Sequence, residues 1–310
     1  MASSVCSDSN NEFEINELII PTNYGHISAK TWHHNSPERL KVLAVHGWQD
    51  NAGTFDQLFP QLSSESMYIV AMDLPGHGSS SHLPKGVPYT DSTWVIAIKQ
   101  VLEYLNWKSN VTIIAHSMGA LASLDFAALF PEIVTRLIMI DTIKPRLYEP
   151  DKLAKESMDS VSLFLRTQNI SHRPNYSFDV DKAINVVIQT HFNGNLNKNA
   201  AFCLMQRAVD FQNNGTVTFR RDPRLNCIIR RKFEKSQFKN YLDGLKCQLM
   251  ILRARSTHHT LRCQHDREFI EFYRKKCSTF QYHEVDGDHY VHLIHPSNVS
   301  SLINDFINLN

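Results

Sequence analysis

Ile113-Ile114-Ala115-His116-Ser117-Met118-Gly119-Ala120 decides the reading of this chain. Val111 to Ala115 is a short apolar run suited to a buried strand, and Met118 to Phe130 has the composition of a helix. Ser117 sits at the bend between them. A strand running straight into a helix forces the turn residue into a strained conformation. The residues two positions to either side must then be small for the two elements to pass. Here they are Ala115 and Gly119, so the pattern is small-x-Ser-x-Gly with alanine at the first small position. An ordinary serine at such a bend caps the helix. A strained one presents its hydroxyl as a nucleophile.

Outward from this turn the chain alternates strand and helix signals. Phe13 to Pro21 and Gly25 to Trp32 read as two strands around Asn23-Tyr24-Gly25. Lys41 to Val45, Met67 to Met72 and Leu137 to Ile140 read as strands buried on both faces. Phe55 to Leu62 reads as a short helix. Asp91 to Trp107 has the helical period, with Trp94, Ala97, Ile98, Val101 and Leu105 on one face. The theme returns with strands at Gln248 to Leu252 and Thr279 to Val285, and helices at Asp266 to Lys275 and Val299 to Ile307. Such alternation predicts a mostly parallel sheet with helices on both faces. Between Arg146 and Lys239 the texture changes. Leu153 to Arg166, Asp181 to His191 and Ala200 to Phe211 look helical, and Asn213-Asn214-Gly215 marks a turn. The expected organisation is a core of residues 1–145 and 241–310 with a helical cap over 146–240.

Composition narrows the function. The chain has 310 residues, 42% hydrophobic and 20% charged, which excludes a disordered chain. The net charge of +1 gives no global field for nucleic acid or membrane binding. No stretch approaches the ~18 consecutive apolar residues of a spanning helix, and the Ser/Asn/Asp-rich start lacks a signal-peptide core. Cys6, Cys203, Cys227, Cys247, Cys263 and Cys277 form no C-x-x-C pair and read as reduced thiols of an intracellular protein. The chain thus reads as cytoplasmic, with a peroxisomal or vesicle-associated placement also compatible.

Two further stretches carry chemistry. A serine hydroxyl needs a base, and histidine suits the task because it titrates near neutrality. His289, in Val285-Asp286-Gly287-Asp288-His289-Tyr290, lies beyond the last strand and after Ser117 and a carboxylate, in the order Ser…Asp…His. His289, His292 and His295 hint at a metal, but no supporting Cys or carboxylate spacing accompanies them, and no metal or cofactor is expected. An acyl-transfer site also needs two amide donors for an oxyanion. Met118, after the serine, is one. Trp48, in His46-Gly47-Trp48-Gln49-Asp50-Asn51, is the other.

His46-Gly47, Asp73-Leu74-Pro75-Gly76-His77-Gly78-Ser79, Ala115-His116-Ser117-Met118-Gly119 and Gly287-Asp288-His289 occur in one order along the chain. Together they resemble the α/β-hydrolase family over nearly the whole length. Val45-His46-Gly47-Trp48-Gln49-Asp50-Asn51 and Phe219-Arg220-Arg221-Asp222-Pro223-Arg224-Leu225 resemble its serine hydrolase-like, or kraken-type, branch. The resemblance implies an α/β-hydrolase fold and a triad whose acid usually follows the strand read here as Gln248 to Leu252. That strand leads to Arg253-Ala254-Arg255-Ser256-Thr257-His258-His259, with no carboxylate before Asp266. Asp266 suits a helix start. Asp141, ending the preceding core strand, is the alternative seat used by some members, and it is preferred to Asp266.

Residues Asp151 to Asn240 hold 15 Lys+Arg against 8 Asp+Glu. The favoured reading is a solvated face with arginines paired to core carboxylates. The sharper one has Arg220, Arg221 and Arg224 drawing an anionic substrate. On either reading the cap is expected to narrow the pocket with side chains such as Phe164, Leu165, Phe192 and Phe202. The expected function is a serine hydrolase acting on a small-molecule acyl substrate, an ester or thioester, with no nucleic-acid partner and no membrane span. The alternative is a ligand-binding protein on the same fold without turnover. Dehalogenase or epoxide-hydrolase chemistry would need an Asp where Ser117 stands.

Overall fold

The computed structural model describes residues 14–62, 66–168, 176–191, 196–257 and 265–309. In chain order, β1 (Ile15–Thr22) and β2 (Gly25–Trp32) form a hairpin, followed by β3 (Leu40–Val45), β4 (Met67–Met72) and the two-residue β5 (Tyr89–Thr90). Then come α1 (Asp91–Tyr104), β6 (Val111–His116), α2 (Met118–Leu129) and β7 (Val134–Ile140). The chain next runs through α3 (Leu153–Gln168), β8 (Ser177–Asp179), α4 (Val180–Thr190), α5 (Lys198–Ala208), β9 (Val209–Phe211), β10 (Thr216–Phe219), β11 (Ile228–Ile229) and α6 (Lys235–Tyr241). It closes with β12 (Gln248–Ala254), α7 (Asp266–Lys276), β13 (Phe280–Val285), α8 (Val291–Ile294) and α9 (Ser297–Ile307).

Eight strands form one sheet in the order β1-β2-β4-β3-β6-β7-β12-β13. β2 runs antiparallel to β1 and β4, and every other pairing is parallel. The inner parallel strands are largely apolar because both faces are covered, whereas the edge strand β13 carries Gln281, His283 and Glu284 and is only partly buried. Leu43, Val45, Ile113, Ala115, Leu137 and Met139 point to a face shared with Trp94 and Ile98 of α1, Leu124 and Phe126 of α2, and Phe269 and Tyr273 of α7. Their neighbours Val42, Ala44, Ile114, Ile138 and Ile140 pack on the opposite face against Phe55, Phe59 and α9's Val299, Ile303 and Phe306. Each such aliphatic side chain stabilises the fold by roughly 1.5–3 kcal/mol.

Helix α1 begins where Thr90 and Thr93 exchange a capping box, and it buries Trp94, Ala97, Ile98 and Val101 as the period predicts. The segment expected as the Phe55 to Leu62 helix is instead two 3-10 turns, Ala52–Phe55 and Phe59–Gln61, because Pro60 stands at the start of the second.

Among the described residues, no strand between Arg146 and Asn240 joins the large sheet. The segment leaves after β7, and its two ends meet at Leu147 and Phe233. It is not wholly helical. β8, β10 and β9 make a small antiparallel sheet, with Asn213-Asn214-Gly215 at the β9–β10 turn. The expected Ala200 to Phe211 helix therefore ends at Ala208, and Val209–Phe211 pairs as a strand. Ala183, Val187, Ala201, Leu204 and Val217 form the segment's own core, which rests on Tyr290 and Leu293.

Candidate active site

Parallel strands deliver their C-terminal ends to one edge of the sheet, the edge where such sheets bind ligands. The register pairs Val45 with Ala115, His116 with Ile140, and Ala254 with Val285. The loops after β3, β6, β7, β12 and β13 consequently converge.

Ser117 stands between β6 and α2 with φ 50° and ψ −117°. That left-handed conformation is costly for serine. Its neighbours hold it there. The Ser117 amide donates to Ile140 O at 3.1 Å. At Gly119 a Cβ would lie 2.3 Å from His46 O and 2.4 Å from Val45 O, so only glycine lets α2 pass β3. The Ser117 Oγ lies 3.0 Å from His289 Nε2.

His289 follows Gly287, whose φ of +136° turns the chain after β13. The ring's Nδ1 is 2.7 Å from Asp141 Oδ2. Its backbone carbonyl accepts from His116 Nε2 at 2.8 Å, so main chain and ring are both held. Asp141 is fully buried and also has a left-handed φ, 54°. Its Oδ2 accepts from Thr257 Oγ1 at 2.6 Å and its Oδ1 from the Ala254 amide at 3.0 Å. Arg253 Nη1 lies 3.5 Å from Oδ1. The end of β12 and the loop after it thus supply donors to a carboxylate that stands just past β7. Asp266 instead opens α7 and pairs with Lys144 at 3.8 Å, while both nitrogens of His289 are taken by Asp141 and Ser117.

A cavity of about 500 Å³ opens over Ser117. Trp48 and Met118, the expected oxyanion donors, both line it. Met118 is the first residue of α2, where amides lack helical partners. From the inserted segment the wall takes Tyr148, Thr190, His191, Arg230, Arg231 and Phe233. The expected aromatic lining differs. Phe164 is buried away from the cavity, Leu165 and Phe202 are exposed, and Phe192 lies outside the described residues. The arginines are engaged in the fold. Arg220 bonds Asp210 and Ser79, and Arg221 bonds Gln49. Arg224 bonds Asp222 and the carbonyls of Leu83, Pro84 and Val87. None of the three lines the cavity.

Sequence reasoning missed a buried polar layer behind Ser117. His46 accepts from the Leu74 amide, and its Nδ1 faces Gly47 O. Burial pushes His46 down to about 4 and His292, bonded to Thr54 Oγ1, down to about 3. Asp50 is pushed up to about 7 by burial, and its Oδ2 lies 3.9 Å from His116 Nδ1. Only the clustering of histidines around the motif glycines hinted at this layer.

The alpha/beta hydrolase fold family matches residues 42–296. A probable serine hydrolase of Drosophila melanogaster is 33% identical over 297 residues, covering 94% of this chain and 87% of that protein. Serine hydrolase-like protein 2 of Homo sapiens is 32% identical over 305 residues, covering 94% of both chains. The crystal structure of a hypothetical protein from Pseudomonas aeruginosa superposes with a TM-score of 0.79 at 26% identity, covering 94% of this chain and 99% of that one. The eight-stranded sheet, the serine turn between β6 and α2, and these relatives together make the chain a member of the α/β-hydrolase family, in its serine hydrolase-like branch.

Proposed function

We propose that the protein cleaves a small-molecule carboxylic ester or thioester through an acyl-enzyme on Ser117. The observation that carries this reading is the unbroken series from Ser117 Oγ to His289 Nε2, 3.0 Å, and from His289 Nδ1 to Asp141 Oδ2, 2.7 Å. Asp141 holds Nδ1 protonated, which leaves Nε2 free to accept the serine proton. Ser117 Oγ then attacks the acyl carbon, and the amides of Trp48 and Met118 bind the oxygen that becomes negative. The tetrahedral adduct collapses, and the leaving alcohol or thiol takes the proton back from His289. Water, deprotonated by His289, releases the acid and restores Ser117.

Residues 146–240 act as a cap that shapes the acyl pocket over a core of 1–145 and 241–310. Tyr148, His191 and Phe233 in the cavity wall support that role. No cofactor enters the scheme. A reducing compartment, the cytoplasm, fits Cys203, Cys227, Cys247 and Cys277, which are all buried and unpaired. Burial pushes the Cys277 thiol up to about 12 and Cys247 higher still, so neither forms a reactive thiolate.

The test is labelling by a fluorophosphonate together with turnover of an ester panel graded in chain length. Wild type is expected to label at Ser117 and to hydrolyse esters. Ser117→Ala should do neither while keeping the wild-type melting temperature. Undiminished turnover by Ser117→Ala would remove the assignment, and labelling without turnover would favour a ligand-binding protein.

A further inference from the structure

The cavity above Ser117 contains one cation whose hydrogen-bonding capacity is unused among the described residues. Lys144 follows Asp141 by three residues and lines the cavity, with a side chain only 2% exposed. Its one ionic partner, Asp266 Oδ1, is 3.8 Å away, which is too long for a hydrogen bond. Asp266 balances the charge yet leaves the three N–H donors of the ammonium without an acceptor. The Phe269 ring, 6.0 Å from Nζ, accepts none of them.

The other cations of the wall differ. Arg146 donates to Glu156 at 2.9 Å. Arg231 donates to Tyr241 Oη at 2.6 Å and to Asp125. Arg253 donates to Asp141 O at 3.3 Å. Arg230, paired with Asp91 at 3.7 Å, reaches solvent with 39% of its side chain. Among the described residues, Lys144 alone combines burial, a place on the cavity wall and unfilled donors.

Met118, Leu121, Ile143 and Phe233 also line the cavity and give its wall an apolar character. A methylene chain suits such a wall, and a carboxylate suits a buried ammonium. We infer that the substrate carries a carboxylate remote from its scissile carbonyl, and that Lys144 is the counter-ion that receives it. This inference rests on the hydrolase reading of the same cavity and narrows its substrate class. The carboxylate can belong to the acyl chain or to the leaving alcohol.

Two ester pairs separate these sources. The acyl arm compares the 4-nitrophenyl monoester of adipic acid with its terminal carboxamide. The alcohol arm compares the butyryl ester of 6-hydroxyhexanoic acid with its carboxamide, followed by pH-stat. In at least one arm wild type is expected to favour the carboxylate in kcat/KM by about 10–100-fold, the range of one charge-assisted hydrogen bond. Lys144→Gln should lower that carboxylate-to-carboxamide ratio at least tenfold, mainly through KM, and Lys144→Arg should restore part of it. A second readout needs no turnover. Adipate should bind Ser117→Ala in calorimetry, and adding Lys144→Gln should abolish the heat. Equal ratios in wild type and Lys144→Gln in both arms would overturn the inference, as would adipate binding that ignores Lys144. Adipate binding that depends on Lys144, in a protein that turns over no ester, would keep the counter-ion and discard the hydrolase reading.

Discussion

Replacing Asp141 with Asn tests the relay at its most constrained point. The two carboxylate oxygens meet different surroundings. Oδ1 faces the Ala254 amide at 3.0 Å and the Arg253 guanidinium at 3.5 Å, which can only donate. Oδ2 faces Thr257 Oγ1 at 2.6 Å and His289 Nδ1 at 2.7 Å. A hydroxyl can turn to accept, and an imidazole can shift its proton to the other nitrogen. The new amide NH2 will therefore sit at the Oδ2 position. There it donates to His289 Nδ1 and drives the ring proton onto Nε2. An Nε2–H donates to Ser117 Oγ and cannot accept its proton. The fold loses little, about 1–3 kcal/mol for the weakened contacts with Arg253 and Thr257. The same exchange in a serine protease lowers turnover by about 10⁴. A loss of about 10³–10⁴ is expected here, or roughly 4–5.5 kcal/mol of barrier at 1.36 kcal/mol per decade. The assay is the second-order rate of fluorophosphonate labelling, measured beside Asp266→Asn on proteins of matched melting temperature. A labelling rate within threefold of wild type for Asp141→Asn, or a crippled Asp266→Asn, would refute the reasoning.

Other perturbations follow from the same geometry. Gly119→Ala puts a methyl 2.3 Å from His46 O and 2.4 Å from Val45 O, both backbone atoms; a destabilisation of about 3 kcal/mol is expected, read as a lower Tm together with lost labelling. Arg207 donates to the buried Asp73 at 2.9 and 3.0 Å, so Arg207→Met leaves that carboxylate uncompensated and should cost about 3–5 kcal/mol in urea denaturation. Stability should fall as pH drops from 6.5 to 4, because the unfolded chain protonates at histidines while His46 resists to about 4 and His292 to about 3. Each histidine then contributes on the order of 3–5 kcal/mol of loss by pH 3. Asp50 and Asp125, raised to about 7, act with the opposite sign over the same range. Burial also lowers His77 and His116, which act with the same sign as His46 and His292. His292→Gln should flatten the acid limb of the urea midpoint, and a limb as steep as wild type would contradict the assignment.

The core strands were legible because two-sided burial writes itself as apolar runs, as in Met67–Met72 and Ile113-Ile114-Ala115. The serine turn was legible because crowding by Val45 and His46 admits only glycine at 119. Asp141 could be read from its place at the end of β7, whereas its support from Thr257 and Ala254 could not, since a threonine hydroxyl and a backbone amide carry no signature. The short strands β8 to β10 escaped notice because three or four residues are too few to show a period. The predicted lining by Leu165 and Phe202 failed for a related reason. Periodicity identifies an apolar face but not what that face meets, and both side chains point outward. The arginine-rich stretch met the plainer expectation only in part: Arg231 pairs with Asp125 of the core, whereas Arg220 and Arg224 pair with Asp210 and Asp222 of the inserted segment itself, and Arg224 is buried.

The loop after β3 bears on how this protein can be re-engineered. Trp48 Nε1 donates to Leu225 O at 2.8 Å, Gln49 Nε2 to Asn226 Oδ1 at 2.6 Å, and Asn51 Nδ2 to Leu204 O at 2.9 Å, while Arg221 donates to Gln49 Oε1. Residues 48–51 therefore take their shape partly from a stretch more than 150 positions away in the chain. The inserted segment is not an interchangeable cassette. A chimera that receives 146–240 from a relative would keep a loop cut for another partner, and it should be repaired by transplanting the donor's four-residue loop along with the segment. Recombination libraries on this scaffold should accordingly treat 48–51 and 204–226 as a single inherited block.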